Sequence, residues 1–283
     1  MVKTLYIGYA IDMDGAANGV YNSKGIVIPL DHYDYQKHQD LKKEFLEGMD
    51  ILFKRFEQEG ALNGVTWFVN EAGYHTTVYY PEIIQKCIDT GGEIGLHTHF
   101  DGTRLGGQGY KISENIKDWY QMGLVDPIGK LKKATNKPIN IFKSGCHLRN
   151  DDMFNALGEL GFVCDTTMVY EDTVSKSNGV VMFDDRELLC GTPPFYIETQ
   201  FGKILEIPEI RPSLEKVKRH IENTPEDCPV FLRFQIHPWN AVSGELLLEI
   251  DRVLKYCNDN YDVKYTNIRT MSELYNVYNN QPS

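Results

Sequence analysis

The chain has no CxxC pair, no apolar run long enough to span a bilayer, no repeat of fixed period, no low-complexity segment and no surplus of positive charge. Each absence removes a class of protein. The six cysteines, Cys87, Cys146, Cys164, Cys190, Cys228 and Cys257, are scattered without short spacings. That argues against a zinc ribbon or a disulfide scaffold and predicts buried free thiols in a reducing compartment. A net charge of −11 counts against a nucleic-acid groove or an anionic membrane surface as the main partner. Met1-Val2-Lys3 leads straight into an apolar run over residues 4–11, too short for a membrane span and without a small-residue cleavage site behind it. The expectation is a cytoplasmic protein with no membrane insertion. Gly106-Gly107-Gln108-Gly109 is too short and irregular for a phosphate-binding loop. With no linker in sight, a single domain over residues 1–283 is the economical reading.

At 42% hydrophobic and 24% charged over 283 residues, the chain can bury a large core. The 17 Tyr, 13 Phe and 3 Trp suit stacking on sugar rings as well as core packing. Strand-like runs occur at residues 4–11, 65–69, the stretch ending at Leu96, 139–142, 162–164, 204–208, 230–236 and 263–265. Helical spacing lies between them. Phe45, Met49, Leu52, Phe53 and Phe56 mark a helix over 41–58, and Pro81 opens another that carries Ile83, Ile84, Cys87 and Ile88. Further helices are expected over 114–134 with a break near Pro127, over 151–160, 213–222 and 243–258, and from Ser272. Residues 16–40 read as a long surface loop covering the site, with His32 and His38 exposed, and 170–202 as irregular with short strands near 180–183 and 196–199. Strand–helix alternation of this kind calls for a parallel sheet, open or closed into a barrel.

The chemistry gathers where strands end. Glu93-Ile94-Gly95-Leu96 is a short buried strand running into His97-Thr98-His99-Phe100-Asp101. Neutral imidazoles beside a carboxylate suit a divalent ion of zinc type. On an extended chain His97, His99 and Asp101 share one side, and in a helix His97 and Asp101 would face each other at i and i+4. Either geometry keeps His97. The first strand stops at Asp12-Met13-Asp14-Gly15, and carboxylates that close need a cation or a shared proton. Lys143 and His147, Asp165, and His237-Pro238-Trp239 also follow predicted strands, and in a parallel α/β sheet those ends meet at one face.

In this order the set resembles the polysaccharide deacetylase (NodB-homology) family of carbohydrate esterases over nearly the whole chain. Ile11-Asp12-Met13-Asp14-Gly15 is similar to the family's first motif, and Glu93-Ile94-Gly95-Leu96-His97-Thr98 to the second. There Asp101 stands where the family has its second histidine, and His99 is extra. Phe142-Lys143-Ser144-Gly145 resembles the third motif with lysine in place of arginine, which supplies the charge without the planar fork. Asp165-Thr166-Thr167, Leu205-Glu206-Ile207-Pro208, Ile236-His237-Pro238-Trp239 and Thr270-Met271-Ser272-Glu273-Leu274 resemble the later elements.

The resemblance implies a distorted (β/α)7 barrel and a metal-dependent hydrolase that removes acetyl groups from an amino sugar. It implies Asp12 as base, positioned by Lys143, and Asp14, His97 and either His99 or Asp101 as ligands of a divalent metal, with Zn2+ the expected ion. His237 would be the general acid, with Asp165 as its partner. Trp239 and the tyrosines of the 16–40 loop would stack on the sugar, and His147 would line the pocket. The implied substrate is an N-acetylated sugar, nucleotide- or lipid-linked. Lys143 and the altered second motif suggest a competing reading, a carbohydrate-binding barrel without activity. A third keeps the hydrolase and changes the substrate to a non-sugar amide or cyclic ureide. His75 and His220 are expected at the surface.

Overall fold

The structure is a computed structural model. It describes residues 3–13, 39–72, 76–98, 120–147, 149–171 and 188–280. Strand β1 (Thr4–Met13) organises it, because its residues from Ile7 to Met13 are all buried and a strand apolar on both faces belongs at the centre of a parallel sheet. The other strands are β2 (Val65–Asn70), β3 (Glu93–Thr98), β4 (Ile141–Ser144), β5 (Cys164–Asp165), β6 (Phe195–Thr199), β7 (Gly202–Glu206), β8 (Val230–Ile236) and β9 (Asp262–Tyr265). They run in the order β6-β7-β5-β4-β3-β2-β1-β8. Among the described residues only the β6–β7 hairpin is antiparallel. The first half of β1 also pairs with β9, on the edge whose second half takes β2.

Seven parallel strands thus run from β7 round to β8. Among the described residues the ladder does not close, but the ends are bridged. Ile210 N–H donates to the Arg233 carbonyl at 3.0 Å, and the Arg233 side chain donates to the Ile207 and Thr166 carbonyls at 3.2 and 2.9 Å. This is the distorted (β/α)7 barrel of NodB-homology type. The described helices are α1 (Gln39–Gln58), α2 (Thr76–Tyr79), α3 (Pro81–Asp89), α4 (Asp126–Thr135), α5 (Asp151–Glu159), α6 (Leu214–Asn223), α7 (Pro238–Ser243), α8 (Glu245–Asn260) and α9 (Ile268–Asn279).

The two faces of the strands bury different partners. Ile7, Tyr9 and Ile11 pack outward against the helices, where Phe45, Met49, Leu52, Phe53 and Phe56 of α1 form one stripe. Each such side chain contributes roughly 1.5–3 kcal/mol of burial. Ala10, Phe68, Ile141, Cys164, Leu205 and Phe231 pack on the other side around Ile268, Met271 and Tyr275 of α9, which plugs the barrel. Cys87, Cys164, Cys190, Cys228 and Cys257 are free and buried, as expected.

Sequence and structure differ at several boundaries. The helix expected over 243–258 is α7 and α8, separated by Gly244 at φ +75°, a conformation that favours glycine. The closing helix begins at Ile268 rather than Ser272, because Asn267 caps it by accepting from Thr270 N–H at 2.9 Å. The helix α4 starts at Asp126, with Pro127 in its first turn, after a π-turn over Tyr120–Val125. His220 is buried rather than at the surface, its Nδ1 accepting from Gly191 N–H at 2.9 Å, and burial lowers its pKa to about 4. The 16–40 loop with His32 and His38 up to residue 38, His75, the Gly106–109 stretch and the expected strand near 180–183 lie outside the described residues.

Asp165 and Glu206 pair across the β5–β7 register, both fully buried. Burial and the Asp165 carboxylate push Glu206 well above its ordinary 4.5. Glu206 Oε1 accepts from Met168 N–H at 2.9 Å. A raised folded pKa gives stability that is full below about 4.5 and lost as pH rises through the folded value. Glu206→Gln keeps the shape and a donor toward Asp165 with no proton to lose. Its stability should gain on wild type as pH rises, by roughly 1.4 kcal/mol per pH unit where the unfolded chain is ionised and the folded one is not. Urea melts from pH 4 to 8 check this, and a pH-independent difference would contradict it.

Candidate active site

Strand alternation decides which side chains enter the barrel mouth. Ala10, Gly95, Ile141 and Phe231 lie on the inward rows, so two residues further on Asp12, His97, Lys143 and Arg233 do as well, followed by Gln235. Asp12 and His97 are 1% exposed, and Lys143 and Arg233 are 0% exposed. Asp165 follows the inward Cys164 and so takes the opposite face, where Thr167 donates to it through N–H at 3.2 Å and Oγ1 at 2.8 Å.

The inward groups converge on one oxygen. Asp12 Oδ2 accepts a hydrogen bond from Gln235 Nε2. It also lies 3.7 Å from His237 Nε2, 3.9 Å from Lys143 Nζ and 4.0 Å from His97 Nε2. Asp12 Oδ1 is buried with no hydrogen-bond partner among the described residues, and so is Lys143 Nζ. Lys143 therefore brings charge to the base without a hydrogen bond. Lysine lacks arginine's fork, and its ammonium sits between Asp12 and Glu209 Oε2, 3.5 Å away. The bond that orients Asp12 comes from Gln235, which the sequence reading passed over; its inward register on β8 was the available signal.

His97 Nδ1 lies 3.0 Å from the Lys143 carbonyl. A carbonyl only accepts, so Nδ1 carries the proton and Nε2 presents its lone pair toward Asp12. A second nitrogen tied to a backbone carbonyl is the usual support of a metal-ligating histidine. Among the described residues no group of three His, Cys, Asp or Glu could hold a metal alone. The other expected ligands, Asp14, His99 and Asp101, lie outside the described residues. What is described fits a cation: an oriented neutral imidazole 4.0 Å from a buried carboxylate whose other oxygen, Oδ1, has no hydrogen-bond donor among the described residues.

His237 caps α7, 21% exposed. Its backbone N–H and its Nδ1 both meet Asn240 Oδ1, at 2.9 and 3.1 Å. This corrects the expected His237–Asp165 pairing, since Asp165 faces the other side of the sheet. Trp239 stacks on the imidazole at 3.8 Å between centroids and 25° between planes. One indole face is thus committed to His237 rather than to a sugar. Helix α1 holds the turn closely: a Cβ on Gly48 would lie 2.2 Å from the Pro238 carbonyl oxygen.

Beside this centre lies a buried charge cluster. Glu209 meets Arg211 Nη1 at 3.1 Å, Lys143 at 3.5 Å and Arg233 Nη2 at 3.8 Å. Burial alone would raise its pKa, but Arg211, Lys143 and Arg233 outweigh that and hold it at about 2. His147 has Nδ1 2.9 Å from the Thr167 carbonyl and Nε2 3.4 Å from Arg211 Nη2. Burial first, then Lys143, lower its pKa to about 4, so it is neutral at pH 7. A depressed Glu209 gives stability that is full above about 4.5 and lost as pH falls through about 2. Glu209→Gln should cost about 3–5 kcal/mol at pH 7 by leaving buried cations uncompensated. The deficit should shrink below pH 4 in denaturant melts, and a variant as stable as wild type at pH 7 would contradict this account.

No family model matches the sequence, and no curated protein matches it. Solved structures do match over nearly their full length. A Mycobacterium smegmatis protein assigned as a polysaccharide deacetylase aligns at 15% identity and TM-score 0.67, covering 100% of this chain and 93% of its own. Puue allantoinase aligns at 12% identity and TM-score 0.67, covering 98% and 91%. A Pseudomonas aeruginosa PAO1 protein assigned as a polysaccharide deacetylase aligns at 11% identity and TM-score 0.64, covering 98% and 92%. The chain shares the fold of these hydrolases, as the resemblance in its motifs implied.

Proposed function

We propose that the protein is a metal-dependent amide hydrolase that removes the acetyl group from an N-acetylated amino sugar, free or as a nucleotide- or lipid-linked precursor. The observation that carries this reading is the convergence of Gln235, His237, Lys143 and His97 on Asp12 Oδ2, at the mouth of a barrel shared with proteins assigned as polysaccharide deacetylases.

His97, Asp14 and either His99 or Asp101 would hold the ion, with zinc matching imidazole and carboxylate donors. A bound divalent ion supplies polarisation of the acetyl carbonyl and a more acidic water. Asp12 takes the proton of the attacking water. Its carboxylate stands 3.7 Å from His237 Nε2, so that proton has a short path to the group that protonates the departing amine. Lys143 and Arg233 place fixed positive charge beside the reacting centre without exposure to solvent. The Trp239 edge and the tyrosines of residues 16–40 would meet the sugar.

The likeness to Puue allantoinase supports a second reading, a cyclic ureide as the amide cut. The two readings differ in product. Acetate should be released from N-acetylhexosamine conjugates, and Asp12→Asn should lower the rate by about 10²–10⁴-fold. A coupled acetate assay on both proteins checks this. Ring opening of a cyclic ureide without acetate release from any sugar would favour the second reading, and no hydrolysis of either would leave a binding barrel. No described helix is long and apolar enough to cross a membrane.

A further inference from the structure

The positions of protons around His237 follow from one unambiguous donor. The backbone N–H of His237 donates to Asn240 Oδ1, so that atom is the amide oxygen and accepts only. His237 Nδ1, 3.1 Å from the same oxygen, must then carry the ring proton. Nε2 is left as an acceptor, and the polar atom 3.4 Å from it is Gln235 Nε2. A carboxamide nitrogen has two hydrogens. One goes to Asp12 Oδ2, and the other faces His237 Nε2. The same NH2 group therefore joins the carboxylate on β1 to the imidazole that caps α7, while Lys143 Nζ stays 3.9 Å from Asp12 without a hydrogen bond.

We infer that Gln235 is a positioning residue that binds Asp12 and His237 into one unit, and that it serves the orienting role Lys143 cannot. The fork an arginine would offer at position 143 is replaced by a carboxamide reaching in from β8. Lys143 keeps the charge and is itself held by Glu209. Trp239 and Asn240 complete the arrangement by fixing the ring plane and the tautomer. With the ring so fixed, Nε2 is the basic nitrogen that faces Asp12 Oδ2, 3.7 Å away, so a proton gained by Asp12 lies next to it. The inference rests on the hydrolase reading for its kinetic consequence but not for its geometry.

The test uses Gln235→Met and Gln235→Leu, which keep the volume and remove the donor. Each should lower kcat by about 10²-fold, the scale of a misplaced catalytic group, with KM changed less than about threefold. Independently of activity, nitrogen NMR of ring-labelled metal-free protein should show His237 with its proton on Nδ1, and the Nε2 resonance should move in Gln235→Met. A wild-type ring protonated on Nε2, or an Nε2 resonance unmoved in the variant, overturns the inference, as does an unchanged kcat. If the NMR results hold but no amide is cut by wild type, the bridge stands and the hydrolase reading falls.

Discussion

One carboxylate oxygen sets the character of this molecule. Asp12 Oδ2 lies near the end of a central strand buried from Ile7 to Met13 and is approached by groups from β3, β4 and β8 and from the turn into α7, within 4.0 Å. Placing a carboxylate where solvent is absent costs several kcal/mol unless charges and donors compensate it. Here the compensation is spread over elements far apart in the chain. The barrel must therefore be wound in register for Asp12 to be tolerated at all. The pairing of Asp12 with Phe68 and of Ile11 with Ile236 fixes that register from both sides.

The same constraint explains the second shell of charge. Lys143 is fully buried and faces two acids, Asp12 and Glu209, and Glu209 in turn draws in Arg211 and Arg233. Arg233 ties β8 to the carbonyls of Thr166 and Ile207, where the ladder of described residues fails to close. The cluster that balances the centre thus also holds the seam of the barrel, linking fold to site through one set of ions. His237 is supported differently, by a neutral amide, a stacked indole and a carboxamide.

Much of this was legible in the residues. Strand ends carrying Asp12, His97, Lys143 and His237 were visible because buried parallel strands read as apolar runs that stop at polar chemistry. The alternation that sends Asp12, His97 and Lys143 inward follows from counting by two. Partnership was less legible. His237 was matched to Asp165 because both follow strands, yet a one-residue offset from Cys164 turns Asp165 to the other face. Asn240, three residues along, was closer to hand. Gln235 was overlooked because a neutral side chain in an apolar strand carries no sign of its partner across the sheet. His147 was read as a pocket residue, and its ring is tied to the Thr167 carbonyl and to Arg211. His220 was placed at the surface because helix position alone does not tell which face is covered.

The account depends on the reactive centre being one place, with His97 presenting a lone pair to a cation beside Asp12. Anomalous diffraction at the zinc edge, from crystals of the protein grown with Zn2+, tests that most directly. The account predicts a single strong peak within bonding distance of His97 Nε2, on the Asp12 side of the ring, lost in His97→Ala. A peak elsewhere in the molecule, or none at His97 in well-ordered crystals, would contradict it.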